Sequence, residues 1–205
     1  VRRVPHPALS ALGWLAVASI AIGIAVALYG LSEPAMQRLA RGRVDTAQLV
    51  LAGLTSLLAA IAAFQLALPD RSPWWAWLPV PTALGWIATM GLDCVQEAQS
   101  VGWGAMQAGS AYPCLRFIVG FSVPLTAAFL WLARHAAPLR PATVAMLAGL
   151  ASATVTNIGL TLVHRSDAAL EILVWHGGST LLVVLLARAA APLFQRLGEP
   201  ALPRG

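Results

Sequence analysis

A chain of 205 residues that is 59% hydrophobic and only 10% charged, with a mean hydropathy of +0.75, excludes a water-soluble globular domain, where about a quarter of the residues carry charge. Its net charge of +5 comes from 13 arginines and no lysine set against eight carboxylates, and on an apolar chain that excess reads as a headgroup and topology signal rather than a nucleic-acid patch. The class is an all-α polytopic membrane protein seated in a lipid bilayer, one domain over residues 1–205, with six transmembrane helices.

Arg2 and Arg3 lead into Pro5 and Pro7, and the first span is read over residues 10–31. Within it Ser19, Gly23 and Ala27 fall four apart, a spacing that lets another helix approach closely, and ordinary packing is the simplest use for it. The polar stretch that follows carries Arg38, Arg41 and Arg43 beside Glu33 and Asp45, and Pro34 suits the first turn of a short helix along the interface. The second span, 48–68, leaves through the turn Pro69, Asp70, Arg71 and Pro73. Trp74, Trp75 and Trp77 then mark a headgroup level, a commoner use of clustered tryptophan than a ligand platform. The third span, 74–92, is bent at its start by Pro79 and Pro81 and ended by Asp93, Cys94 and Glu97. Residues 96–112, with Gly102, Trp103, Gly104, Gly109 and Tyr112, make the longest connection and have room for a short surface helix. The fourth and fifth spans, 114–133 and 142–163, are joined by an elbow of Arg134, His135, Pro138, Arg140 and Pro141 that cannot cross hydrocarbon. The sixth span is 169–191, with Glu171 near its start, His176 deeper, and a tail bearing Arg196 and Arg204.

Six spans put both termini on one face. Eight arginines on that face against five on the other favour cytoplasmic termini, although Arg38, Arg41 and Arg43 pull the other way. Cys94, Cys114, His164, Arg165 and Asp167 then share the outer face.

Cys94 and Cys114 bracket the long outer connection. If the third and fourth helices are neighbours, the two thiols would bridge or share a soft metal ion; otherwise they are two small hydrophobes at helix ends. His164, with Asp167, would complete a metal site on Cys114, though no CxxC or HxxxH spacing supports one. Arg165 on the same face would favour the thiolate, so the thiols are expected to react with reagents added from outside. Asn157, Glu171 and His176 are too few for a proton relay and read as interhelical hydrogen bonds. There is no phosphate loop, nucleophile elbow, HExxH or haem motif, so the residues support neither an enzyme nor a cofactor.

The C-terminal half resembles the negative regulators of sigma F, NrsF-like six-span anti-sigma factors of the bacterial inner membrane. The resemblance rests on Cys114 followed by Ile118, Ser122 and Pro124; on the elbow Arg134-His135-Ala136-Ala137-Pro138-Leu139-Arg140-Pro141, similar to the family's Arg-Arg-Gly-Ala-Pro-x-Arg-Pro; on Gly149; and on Val163-His164 with Asp167 and Val174-Trp175. The N-terminal half matches in hydropathy and in the lead-in from Val1 to Pro7. Two departures stand out. The family's cysteine after the histidine is Arg165 here, which breaks the outer thiol pair unless Cys94 replaces the missing partner. The family also carries a cytosolic segment ahead of the Arg-Arg lead-in, whereas this chain opens at Val1.

The resemblance implies an anti-sigma factor that holds an extracytoplasmic-function sigma factor at the cytosolic face and releases it when the outer cysteine region meets a heavy metal or oxidant. Arg2, Arg3, Arg134 and Arg140 are the expected contacts to an acidic partner, because a guanidinium pairs bidentately with carboxylates. The rival reading is a non-catalytic structural subunit of a larger bacterial membrane complex, which the small-residue faces and the tryptophan belt also fit.

Overall fold

The computed structural model describes residues 6–106, 112–134, 139–163 and 168–193. Among them there is no strand, and six helices are long and apolar enough to cross a membrane. The first, α1 (Pro7–Tyr29), starts three residues before the expected span because Pro7 suits the first helical turn and His6 Nδ1 accepts the Ala8 N–H at 3.3 Å. It stops at Gly30, whose φ of 74° is open to glycine at little cost. The expected interface helix is present as α2 (Glu33–Arg41), with Ala35 buried and Pro34 in its first turn. Ser32 pins it down: its hydroxyl accepts from Ala35 N–H at 3.4 Å, and its own N–H donates to the Leu162 carbonyl at 2.9 Å.

Next come α3 (Arg43–Leu66), a 3₁₀ turn over Pro73–Trp77, α4 (Val80–Val101), α5 (Tyr112–Ala133), α6 (Pro141–Val163) and α7 (Ala169–Ala189). The sequence reading ended the third span near residue 92, and the structure carries that helix nine residues further. Asp93 and Glu97 do not break it, since a helix can run beyond the hydrocarbon into the headgroups, and the chain turns only at Gly102 with φ 87°. Within α7 the segment Ile172–Gly177 is π-helical and holds the buried His176.

The helix at the centre is α6. It packs on α3, α5, α7 and α1, and 67% of its apolar stretch is buried against 22% for α1. Its sequence explains the position. Lipid is as apolar as leucine, so helices gain most where backbones come close, and Ala145, Ala148, Gly149, Ala151, Ser152 and Ala153 offer small side chains on every side. A Cβ built on Gly149 would lie 2.8 Å from the Ala187 Cβ, which shows how tightly α7 is seated. The outlying α1 uses another stripe, Ala11, Trp14, Ala18 and Ala25. The expected packing face of Ser19, Gly23 and Ala27 is exposed instead, because Trp14 and not the small residues sets which side of α1 turns inward.

Trp14 is fully buried, edge-on to Phe129 at 5.5 Å, and Phe129 stacks on Phe64 at 4.1 Å, which joins α1, α3 and α5. Buried polar groups reinforce the crossings. Trp14 Nε1 donates to the Leu125 carbonyl at 3.3 Å, Ser56 Oγ to Ala151 at 2.9 Å, and Asn157 Nδ2 to Thr180 Oγ1 at 3.0 Å. Asn157 thus makes the interhelical bond expected of it.

Candidate functional site

Six antiparallel crossings divide the chemistry between two ends. At one end lie the starts of α5 and α7 with the ends of α1, α4 and α6; this end holds both cysteines. At the other lie the 3₁₀ turn, the end of α5, the start of α6 and the end of α7; this end holds the elbow.

At the thiol end, Cys94 on α4 is 6% exposed and Cys114 on α5 is 1% exposed. Neither is in a disulfide. The reading that would have paired them took α4 and α5 as neighbours, and the fold does not provide that interface: both helices pack on the first turns of α7. The long connection between them leaves room for α7 to enter, so proximity in sequence does not become a shared helix face. Burial also runs against the expected ready reaction with outside reagents. Asp93 and Glu97 are the charged neighbours of Cys94, and Glu171 is that of Cys114. Glu97 has a structural task that no local pattern announces, since its carboxylate accepts the Ala169 N–H at 2.7 Å and so holds the start of α7 against α4. Its partner is 72 residues away, so the sequence around Glu97 shows only a charge near the end of a span. His164, Arg165 and Asp167 lie outside the described residues, and among the described residues no cluster of three histidine, cysteine or carboxylate side chains is placed to hold a metal.

At the elbow end, Arg140 is exposed and its carbonyl accepts from Val144 N–H at 3.1 Å in the first turn of α6. Arg134 is half-buried: its guanidinium lies 3.9 Å over the Trp131 ring and donates to the Trp131 carbonyl. The three-residue spacing of Trp131 and Arg134 on one helix face could have signalled that stack. Arg2 and Arg3 lie outside the described residues. Arg188 reaches Met146 Sδ at 3.6 Å, and Arg71 adds a fourth cation to this end.

The resulting charge is lopsided. Among the described residues the elbow end carries Arg71, Arg134, Arg140 and Arg188 against Asp70 alone, whereas the thiol end carries Arg38, Arg41, Arg43 and Arg116 against Glu33, Asp45, Asp93, Glu97 and Glu171. Exposed Trp74, Trp77 and Trp131 ring the first end and Tyr29, Trp103 and Tyr112 the second, as two aromatic belts do at headgroup level.

One helix joins the ends. Cys114 lies in the first turn of α5 and Arg134 directly follows the helix, twenty residues and so about 30 Å apart. Between them Pro124 removes one backbone donor and leaves the Gly120 carbonyl without its helical partner. Buried Ser122 Oγ and Thr126 Oγ1 on either side have no hydrogen-bond partner among the described residues. That arrangement makes the middle of α5 a point where the helix can bend, as the π-helical segment Ile172–Gly177 is in α7.

Compared with known proteins, the chain matches one family model, NrsF, described as negative regulator of sigma F, over residues 1–196. No curated protein and no solved structure matches it.

Proposed function

The chain belongs to the family of negative regulators of sigma F, anti-sigma factors, and from that premise we propose that it holds an extracytoplasmic-function sigma factor at the cytosolic face of a bacterial inner membrane, both its own termini being cytoplasmic. The observation that carries this reading is the lopsided charge. Four arginines against one carboxylate at the elbow end fit an acidic partner, and the eight arginines against five counted over the whole chain favour that face as the one that stays in the cytosol. Arg140 is the exposed contact; Arg134, held on Trp131, presents the remaining edge of its guanidinium, and Arg2 and Arg3, which lie outside the described residues, are the further contacts the reading assigns to the partner.

Release starts at the other end. A heavy metal or oxidant acting on Cys114, with His164 as the second metal ligand and Arg165 and Asp167 tuning the site, repacks the start of α5, and Cys94 on α4 responds only through α7, on which both helices pack. A shift there is carried along α5 and around the Pro124 bend to Trp131 and Arg134, which changes the sigma-binding face. Membership of a regulatory family favours this reading over a structural subunit of a larger complex, and it gives no support to catalysis.

The test is co-purification of a sigma factor from membranes of the native host, before and after cadmium. Arg134→Glu with Arg140→Glu should abolish retention, and Cys114→Ser should retain the sigma factor but no longer release it. Retention unchanged by the charge reversal would remove the elbow from the mechanism.

A further inference from the structure

A groove of about 460 Å³ opens on the side of the bundle at the thiol end, walled by the last turns of α1 and α6 and the first turns of α5. Tyr29, Phe117, Phe121, Leu160 and Val163 make it apolar, Cys114 lies in its floor, and Arg116 stands at its mouth. It follows α5 from Pro113 to Phe121, about 12 Å along the helix axis. We propose that this groove is a binding site for one anionic phospholipid of the surrounding bilayer, with an acyl chain between α1 and α5 and the headgroup phosphate on Arg116.

The charges and the depth select that occupant. Arg116 is exposed, with its guanidinium carbon 5.6 Å from the centre of the Tyr112 ring, at the end of the span where a headgroup layer would lie. A cation–π contact leaves the edge of the guanidinium available for a phosphate. The N-terminus of α5, a helix of 22 residues, adds partial positive charge at the same place. Glu171, the nearby carboxylate, is not in the groove wall. Below this polar mouth the lining is mostly the carbon surface of Phe117, Phe121, Leu160 and Val163, with the Cys114 thiol among them, at a depth where lipid chains are the abundant apolar material. Tyr29 and Tyr112 mark the level at which chain gives way to headgroup.

The groove also supplies its own control. A Cβ built on Gly120 meets nothing within 4 Å, so a side chain placed there fills the groove without pressing on the bundle. The site does not depend on the regulatory reading, because it involves neither the elbow nor the chemistry of the thiols.

Native mass spectrometry of the full chain in detergent, titrated with phosphatidylglycerol or phosphatidylcholine, reads the occupancy directly. The wild type should retain one phosphatidylglycerol with a preference of roughly fivefold over phosphatidylcholine, the scale of one surface cation on an anionic lipid. Arg116→Gln should remove the preference while leaving weak retention of both lipids. Gly120→Leu should empty the groove of both, at a melting temperature no lower than that of the wild type. Equal retention of the two lipids by the wild type, a preference that survives Arg116→Gln, occupancy that survives Gly120→Leu, or a second copy of the chain in place of lipid would each overturn the proposal.

Discussion

Gly149 allows a quantitative test of how α6 and α7 fit together. An alanine Cβ at this position would lie 2.8 Å from the Ala187 Cβ and 3.3 Å from the Val183 carbonyl oxygen, where ordinary contact begins near 3.4 Å. The two helices must therefore separate by at least about half an ångström. Against the loss stands a gain, since alanine is better than glycine inside a helix by about 1 kcal/mol. Overpacking typically costs about 1–3 kcal/mol, so Gly149→Ala should be destabilising by up to about 2 kcal/mol net. Gly149→Leu has no such balance: its branched side chain has no space in the strip formed by Ala145, Gly149 and Ala153, and it should force α7 away, breaking the Asn157–Thr180 bond as well. The informative variant is the double one. Ala187→Gly removes the atom that Gly149→Ala strikes, so the pair should be more stable than the sum of the two single changes, with a coupling of about 1 kcal/mol. Rescue should stay partial because the Val183 carbonyl remains. Unfolding in mixed micelles, followed by tryptophan fluorescence, measures all four proteins. If Gly149→Ala stabilises the chain by the full helix-propensity gain and the coupling is zero, the close approach of α6 and α7 is wrong.

Other outcomes follow from the same packing. Thr180→Val should cost about 0.6 kcal/mol and no more than about 1.7, the measured scale for a hydrogen bond between membrane helices, and a null effect would show that Asn157 finds another partner there. Trp14→Ala should cost about 3–5 kcal/mol, and Trp14→Phe should lose much less, because it gives up the bond to Leu125 and keeps most of the ring packing; equal losses would mean that the polar contact dominates. With 6% and 1% exposure, Cys94 and Cys114 should react slowly with a membrane-impermeant maleimide in the folded protein and rapidly in dodecyl sulfate, as mass shifts would report; fast labelling of both before denaturation would refute their burial. A reporter fused after Arg204 should be active only in the cytosol, and activity on the outer side would invert the assignment of both ends.

Length and hydropathy made all six spans legible, since a 20-residue apolar run has few other uses. What the sequence concealed was the order of neighbours. Ala145, Gly149 and Ala153 fall four apart and form an interface; Ser19, Gly23 and Ala27 have the same spacing and face outward. Small side chains permit close approach but do not demand it, and on α1 the burial of Trp14 decides the rotation. The same limit applies to the thiols. Nothing local to Cys94 or Cys114 reveals that α7, some 60 residues downstream of α5's start, packs on both of their helices. Glu97, which holds the start of α7, was read as a residue that ends a helix because its partner is an N–H far along the chain.

The arrangement of fixed and movable parts bears on how a signal would cross this bundle. With small residues on all sides and neighbours on four, α6 has little freedom to move, because any rotation would drive Gly149 into Ala187 or separate Ser56 from Ala151. By contrast, α5 touches the core through larger side chains, has a proline at mid-length, and has buried hydroxyls beside that proline without partners among the described residues. Its elbow half is anchored by Trp14, which lies edge-on to Phe129 and donates to the Leu125 carbonyl just after Pro124. Its thiol half carries Cys114 and the groove wall, and has no such anchor across to α1 beyond the edge contact of Tyr29 with Phe117 at 5.5 Å. A perturbation at Cys114 therefore meets the softer half of α5 first and reaches the arginine end only if Trp14 gives way. Trp14→Phe, which keeps the ring and deletes the bond to Leu125, should lower the amount of cadmium needed to release a bound sigma factor, while Cys114→Ser on the same background should abolish release at any dose. A release curve unmoved by Trp14→Phe would show that the signal bypasses the Pro124 bend.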